Sequence, residues 1–341
     1  MLVSEVGEFG LIRLLAESFG IAYPPSRDGR QPGLLVGLGD DAAVSPRPDG
    51  PVIWTTDTLV AGVHFLPERS SWSEVGWKAL AVNLSDIAAM GGVPHLCLVT
   101  LLLPAEFCVE DALELYSGLH AAAKEYGVTL AGGDIVRSPV FAVTVALSGL
   151  AAVGLLGQSS VLTRSAARPD DIVAVSGTLG DAAGGVRLLQ AASEFGTESE
   201  RRLREAQQRP RPRVSLGREA VRAGIRCAID VSDGLVQDLR HVATASRVGI
   251  RVEANRLPIS DALRAAFPAE AAGLAISGGE DYELVLIAPR PAVEALIDSS
   301  ETPLTAIGEV YAADEPHVAV IDETGREVPL ARAGWDHLAP A

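Results

Sequence analysis

The residues with the clearest capacity for chemistry are aspartates that follow apolar runs and stand next to glycines or threonines. Such segments include GLGDD at 37–41, TTDT at 55–58, AGGDI at 131–135 and DVSDG at 230–234. Asp40 and Asp41 are adjacent in a chain whose formal net charge is already −16, and each raises the free energy of ionising the other. If these carboxylates converge, they require hard divalent cations, and Mg²⁺ suits carboxylates that also hold phosphates.

The same reasoning gives a set of candidate metal ligands. Each acid is expected at a strand end, in a glycine turn or at an inward helix position, where α/β proteins assemble ligand crevices. Threonine hydroxyls can complete an oxygen ligand set, whereas turn formation alone is the alternative reason for any single aspartate. The candidates are Asp41, Thr55, Thr56, Asp57, Asp86, Asp134, Asp230 and Asp233, with Asp40 left as a turn residue or an indirect partner.

A repeated unit, a strand followed by a tight acidic turn, is expected to position most of these residues. Helices fill the intervals. One helical face over residues 73–90 carries Val75, Ala79, Val82 and Asp86, so Asp86 is predicted to point inward. Apolar residues also keep helical spacing from Leu235 to Val242, which predicts that Asp233 lies in the first turn of a helix.

Several familiar active sites are excluded. The chain has two lysines, Lys78 and Lys124, both in predicted helices, which argues against a phosphate site cradled by a lysine. GLGDDA fits a dinucleotide-binding pattern, but Pro46 and Pro48 follow too soon for the required helix. No G-x-S-x-G is present and no histidine pair has zinc-ligand spacing. Only His64, shortly after an acidic segment, remains a candidate functional histidine.

Composition narrows the class of protein further. The acidic balance argues against nucleic acid as a partner. The apolar stretch 140–157 carries alternating β-branched residues and three glycines, which favours buried strands over a membrane span. Three cysteines without a C-x-x-C pair suggest a reducing, cytoplasmic setting. The N-terminal stretch has acids where an export signal would be positively charged.

At 341 residues the chain exceeds the usual size of one hydrophobic core, so two domains are expected. The glycines between 149 and 157 suggest a boundary there. The predicted domains are residues 1–150 and 151–341, the first binding nucleotide and metal and the second completing the site.

An ordered series of motifs resembles the thiamine-monophosphate kinases, a family in the ATP-binding superfamily of aminoimidazole ribonucleotide synthetase. The motifs include GLGDDAAV, TTDTLVAGVHF, NLSDIAAMG, AGGDIVR, LTRSAARPDD, DVSDGL, SGGEDYEL and GWDHL, and the resemblance covers residues 5–338. It implies an α/β (α+β) fold with an N-terminal mixed-sheet domain that pairs across a homodimer and a C-terminal layered α/β domain. It also implies that ATP phosphorylates thiamine phosphate to thiamine diphosphate.

Carried over motif by motif, the resemblance assigns roles to individual residues. It makes the candidate aspartates and threonines a site for several Mg²⁺ ions. It implies ATP contacts at Gly133, Asp134, Arg164 and Ser232, and thiamine phosphate contacts at His64, Glu280 and Trp335. Two departures, Ala61 and the loop around Ala166, touch no proposed metal ligand.

The chemistry is consistent with that assignment. A phosphate monoester has its second pKa near 6 and is largely a dianion at neutral pH, so the acceptor needs no general base. Catalysis would then depend on positioning and charge neutralisation, and no residue is expected to act as a catalytic acid or base. The alternatives are an aminoimidazole ribonucleotide synthetase-like ligase and a non-catalytic nucleotide-binding relative.

Overall fold

The computed structural model describes residues 1–20, 33–37, 42–46, 48–154, 157–191, 194–329 and 334. The chain divides into two compact units. Unit 1 comprises Met1–Ile87 and Pro94–Leu150, and unit 2 comprises Ala88–Val93 and Ala151–Ala341. Each unit is described below by itself.

The described residues form helices and strands that are distributed along both units. The helices are α1 (Val3–Ser18), α2 (Trp72–Ala89), α3 (Val109–Tyr126), α4 (Asp181–Gln190), α5 (Glu198–Gln208), α6 (Val214–Arg222), α7 (Leu235–Ser246), α8 (Asp261–Ala266), α9 (Ala271–Ser277) and α10 (Arg290–Ser299). The strands are β1 (Val52–Val60), β2 (Gly92–Leu103), β3 (Thr129–Arg137), β4 (Ala142–Val153), β5 (Ser159–Ser160), β6 (Asp171–Ser176), β7 (Cys227–Asp230), β8 (Gly249–Glu253), β9 (Leu284–Pro289), β10 (Leu304–Tyr311) and β11 (His317–Ile321).

Unit 1 is built on a mixed sheet with the strand order β1-β4-β2-β3. β1 pairs with β4 in antiparallel fashion, and β2 pairs with β3 in parallel. The inward residues of β4, such as Val143, Val145 and Leu147, are fully buried. One face of the sheet keeps exposed apolar side chains, with Trp54 68% and Leu98 43% exposed.

Two glycines set the distance between α2 and α3. A Cβ on Gly76 would lie 1.9 Å from the Leu115 carbonyl oxygen, and one on Gly118 would lie 1.9 Å from the Ser73 carbonyl oxygen. Real Cβ atoms do not approach an oxygen this closely, because packed atoms keep van der Waals separation. The two helices are therefore in backbone contact, which requires glycine at both positions.

Unit 2 contains a six-stranded sheet with the order β11-β8-β10-β6-β9-β7. β8 and β11 are parallel, and the other pairs are antiparallel. The core packs helix α7 against this sheet through Leu235, Leu239 and Val242, all with no exposed surface. The near-continuous apolar strands β6 and β9 are buried along most of their length.

Several expectations about secondary structure are confirmed. The helix expected over 73–90 is α2, and the apolar stretch after Pro139 forms the buried strand β4. Within the described residues, no helix has the length and apolar character needed to cross a membrane.

The expectation of acidic turns after strands is wrong for two segments. TTDT lies inside β1 and GGDI lies inside β3, because these threonine- and isoleucine-containing segments continue the extended backbone and pair with neighbouring strands. The third segment behaves as expected, since β7 ends at Asp230 and a turn follows.

Candidate functional site

Thr55 and Asp86 meet within unit 1. Thr55 lies near the middle of β1, and its hydroxyl donates a hydrogen bond to the Asp86 carboxylate on α2. Asp57 is two residues further along β1, so its side chain points to the same face of the sheet as that of Thr55. Thr55 and Asp86 therefore place oxygen atoms together between β1 and α2, with Asp86 pointing inward as expected. With Asp57 on the same face of β1, they are called the Thr55–Asp57–Asp86 group below.

Thr56 and Asp134 lie on the opposite face of the same sheet. Thr56 alternates with Thr55, and both Thr56 and Asp134 are exposed. Asp134 is on β3, paired with Thr100 of β2, and β3 and β1 are separated by two strands. With strands ~4.8 Å apart, this separation is about 14 Å. Unit 1 by itself does not bring Asp134 to the Thr55–Asp57–Asp86 group.

The glycines before Asp134 allow close contact between β2 and β3. A Cβ on Gly133 would lie 1.7 Å from the Val99 carbonyl oxygen. The pairing shifts by one residue between Cys97 and Leu98, so Ala131 forms a bulge, and Gly132 has a φ of +154°. Next to Gly133 and Asp134, an apolar cleft is lined by Phe19 and Tyr116 among other residues.

His64 lies in the turn after β1. Its Nδ1 accepts a hydrogen bond from the Val60 N–H at 3.0 Å. When the ring is neutral, Nδ1 as acceptor places the proton on Nε2, which is then a donor. The Lys78 ammonium, buried on α2, donates to the His64 carbonyl oxygen at 3.3 Å. Two hydrogen bonds thus fix the position of His64, one to its ring Nδ1 and one to its backbone carbonyl oxygen.

In unit 2, predicted ATP and substrate residues are directly joined. The Glu280 N–H donates to the Ser232 carbonyl oxygen at 2.7 Å, and the Tyr282 N–H donates to the Val231 carbonyl oxygen at 2.8 Å. A Cβ on Gly279 would lie 2.6 Å from the Ser232 oxygen. The SGGEDYEL segment and the turn after Asp230 therefore pack backbone to backbone, and Asp230, Ser232, Asp233 and Glu280 lie together.

The start of α7 corrects one expectation. Asp233 does not lie in the first helical turn, because α7 begins at Leu235 and its N-cap is Gly234. Gly234 has a φ of +123°, and a Cβ there would lie 2.8 Å from the Ser277 carbonyl oxygen. The tight backbone at Gly234 delays the helix by two residues and leaves Asp233 in the turn.

Asp238 occupies the first turn of α7 instead. One of its carboxyl oxygens, Oδ2, accepts hydrogen bonds from the N–H groups of Ser232, Asp233 and Gly234, at 3.1, 3.2 and 3.1 Å. The pKa of Asp238 is raised to about 8, chiefly by burial and also by the nearby Asp230 and Asp233, while the backbone hydrogen bonds oppose the shift. A carboxyl oxygen of Asp238, one of Asp233 and a ring nitrogen of His241 lie within 4.8 Å of one another.

Two acids hold the SGGEDYEL segment from either side of Tyr282. Asp281 accepts hydrogen bonds from the N–H groups of Gly180 and Ala182 at the start of α4, at 2.7 and 3.3 Å. Burial raises the pKa of Asp281 well above its usual value. Glu283 is buried and forms a two-pronged ion pair with Arg213.

These contacts fix an unusual backbone. Glu280 and Tyr282 have φ values of +69° and +51°, a region that non-glycine residues rarely adopt. The Glu280 carboxylate also accepts a hydrogen bond from the Gln207 side-chain amide on α5 at 3.1 Å. A strained backbone persists where its surroundings determine it, and such positions cluster at functional sites.

Arg164 has an exposed side chain on an anchored backbone. Its carbonyl oxygen accepts a hydrogen bond from the Ser246 hydroxyl at 2.8 Å and a weak one from the Cys227 thiol at 3.9 Å. Cys227 begins β7, the strand that ends at Asp230. Asp40, Asp41 and Trp335 lie outside the described residues.

Several of the residues that hold the site were missed from the sequence. They are Lys78, Gln207, Arg213, Asp238, Asp281 and Glu283. Asp238 carried a usable signal, since it shares the apolar helical face of Leu235, Leu239 and Val242, as Asp86 shares that of α2. The contacts of Gln207 and Arg213 span about seventy residues and left no local pattern.

Comparison with known proteins places this geometry in a class. The family model described as "AIR synthase related protein, N-terminal domain" matches residues 39–155. The model described as "AIR synthase related protein, C-terminal domain" matches residues 168–321. The two-domain fold is therefore that of AIR synthase-related proteins.

Individual relatives narrow the class. The thiamine-monophosphate kinase of Escherichia coli (strain K12) is 39% identical over 312 residues, which cover 89% of this chain and 92% of that protein. The crystal structure of thiamine-monophosphate kinase from Stenotrophomonas maltophilia K279a is 38% identical, with a TM-score of 0.78 and coverage of 94% and 98%. A structure of AaThiL complexed with AMPPCP and TMP is 32% identical, with a TM-score of 0.76 and coverage of 99% of both chains. The chain belongs to the thiamine-monophosphate kinase family.

Proposed function

We propose that this protein transfers the γ-phosphoryl group of ATP to thiamine phosphate, giving thiamine diphosphate and ADP. The observation that carries the proposal is the hydrogen bond between Glu280 and Ser232, which joins a residue proposed to contact thiamine phosphate to one proposed to contact ATP. The related structure with bound AMPPCP and TMP, which is similar to this chain over 99% of both chains, supports ATP and thiamine phosphate as the two substrates.

No residue of the site needs to act as a base. The acceptor phosphate is largely a dianion at neutral pH, so the chain has to position two polyanions and neutralise their charge. The His64 Nε2–H and the exposed Arg164 guanidinium are donors suited to phosphate oxygens. Glu280 is an anion suited to the cationic thiazolium ring, and Trp335 is proposed to contact the same ring through its aromatic face.

Mg²⁺ is the cation that fits the described donors. The group of Thr55, Asp57 and Asp86 and the group of Asp230 and Asp233 offer hydroxyl and carboxylate oxygens, which hard cations prefer. When bound, Mg²⁺ would neutralise phosphate charge. We propose these residues, together with Asp41, Thr56 and Asp134, as its ligands, and Gly133 and Asp134 as ATP contacts beside the apolar cleft.

A homodimer is part of the proposal. Trp54, Leu98 and Val136 are exposed on one face of the unit 1 sheet, and apolar surface of this kind marks interfaces. Thr56 and Asp134 lie on that same face, so a second copy would also cover two proposed ligands. Sedimentation velocity checks this: a species of twice the chain mass is expected, and a monomer at all concentrations contradicts it.

A cytoplasmic location also stays a prediction.

The test of function is product formation with a choice of acceptors. The purified protein is incubated with Mg²⁺-ATP and thiamine phosphate, free thiamine or an aminoimidazole ribotide precursor, and ADP and thiamine diphosphate are followed by chromatography. We expect stoichiometric thiamine diphosphate with thiamine phosphate alone. Asp57→Ala should reduce the rate by roughly 10²- to 10³-fold, as for loss of a group that stabilises transition-state charge.

Asp298→Ala serves as the matched control, because Asp298 is an exposed acid on α10 outside the proposed site. Its rate should equal that of the unchanged protein. ADP release that depends on the ribotide precursor would support the ligase alternative. Nucleotide binding without any acceptor turnover would support a non-catalytic relative.

A further inference from the structure

Three consecutive backbone N–H groups, those of Ser232, Asp233 and Gly234, converge on one oxygen of Asp238. A run of N–H groups before a helix is an arrangement that binds phosphate in other α/β proteins. Here the acceptor is a side chain of the protein itself. The backbone donors of this turn are therefore already used.

We propose that Asp238 is a positioning residue that fixes the turn from Ser232 to Gly234 and so aims the Ser232 and Asp233 side chains at the Mg²⁺-nucleotide. The inference rests on the proposed function, which places Ser232 and Asp233 at that ligand. Asp238 acts through the backbone of the turn and not through contact with the ligand.

The surroundings favour an indirect role. Asp238 is 3% exposed, and the oxygen that holds the turn already accepts three hydrogen bonds. The turn also has little free space on the side of Ser277, since a Cβ on Gly234 would lie 2.8 Å from the Ser277 carbonyl oxygen. If the Asp238 oxygen is lost, one buried and two part-buried N–H groups would lack acceptors, which is unfavourable enough to reorganise the turn.

An alternative role makes a different prediction. If Asp238 were itself a metal ligand, replacing its charge with an amide would weaken the ligand as much as removing the side chain. If it positions the turn, Asp238→Asn keeps an acceptor oxygen of the same reach for the three N–H groups. The asparagine variant therefore separates the two roles.

The experiment is a calorimetric titration of the full-length protein with AMPPCP in MgCl₂, without thiamine phosphate. Asp238→Ala should weaken binding by roughly 10- to 100-fold, the usual effect of losing a partner that orients a metal ligand. Asp238→Asn should stay within about threefold of the unchanged protein, since the neutral hydrogen bonds remain. If Asp238→Ala does not fold, Asp238→Glu, which displaces the oxygen by one methylene, replaces it with the same expected loss.

Asp181→Ala is the matched control. Asp181 is a partly buried acid that accepts hydrogen bonds from the Thr178 and Ser260 hydroxyls, and its loss should lower the thermal midpoint without changing AMPPCP affinity. Equal weakening by the alanine and asparagine variants of Asp238, or unchanged binding by the alanine or glutamate variant, overturns the inference. Failure of the unchanged protein to bind AMPPCP counts against the proposed function instead.

Discussion

The proposed ligands of unit 1 and those of unit 2 are built on different kinds of backbone. In unit 1 the proposed ligands lie inside a paired strand, so neighbouring residues such as Thr55 and Thr56 point to opposite faces. In unit 2 they lie in a turn that is hydrogen-bonded to a second loop, so Asp230, Ser232 and Asp233 lie together near Glu280. A strand directs adjacent side chains to opposite faces, whereas a turn fixed by hydrogen bonds brings neighbouring residues close together.

The first prediction concerns the hydrogen bonds that hold the SGGEDYEL segment of unit 2 in place, and it has the largest expected effect. Asp281→Ala leaves the N–H groups of Gly180 and Ala182 without their acceptor. Leaving a buried N–H unsatisfied costs roughly 1–3 kcal/mol, so the loss of two acceptors should lower the free energy of unfolding by about 2–6 kcal/mol. Urea titration followed by circular dichroism measures it. Asp281→Asn, which retains an acceptor oxygen, should lose much less.

The pKa of Asp281 adds a pH dependence to this test. The pKa of Asp281 in the folded protein lies above the usual 3.8. Between the unfolded and the folded pKa, the native state therefore binds more protons than the unfolded state. Stability from this group is greatest below the unfolded pKa and declines as pH rises through the folded pKa. Asp281→Asn should flatten that decline, and an unchanged slope would assign the pH dependence to other groups.

The second prediction tests strand alternation in unit 1. Thr55→Val removes the hydrogen bond to Asp86, and the Mg²⁺ concentration for half-maximal rate should rise roughly tenfold, as for lost orientation of a ligand. Thr56→Val makes the same change one residue along, on the opposite face, and its effect should be smaller. Steady-state rates over a Mg²⁺ series decide it. Equal effects would show that the faces are not functionally distinct.

The third prediction has the smallest expected effect and again concerns the SGGEDYEL segment of unit 2. Gln207→Leu removes the side-chain hydrogen bond to Glu280, and the KM for thiamine phosphate should rise about two- to fivefold, as for one net hydrogen bond. Gln208→Leu is the control, because Gln208 is also buried and adjacent. An equal rise in both variants would mean that general packing of α5, not the Glu280 contact, sets the KM.

The sequence predicted more of the elements than of their contacts. The periodicity of α2 placed Asp86 inward, and the β-branched alternation after Pro139 predicted β4 correctly. The position of TTDT inside β1 was missed because a short polar segment is compatible with both a turn and a strand, and pairing with β4 decides between them. The delay of α7 depends on contact between Gly234 and Ser277, which no local pattern records.

The backbone contact of α2 with α3 at Gly76 and Gly118 has a consequence for how this protein can vary. α2 carries Asp86, and its distance from α3 is set by two backbones with no side chain between them. Even a single methyl group at either glycine has no room, so the helix would have to shift and carry Asp86 away from Thr55. Mutational tolerance in this layer is therefore governed by positions remote from the chemistry, where an alanine should be as damaging as the loss of a ligand.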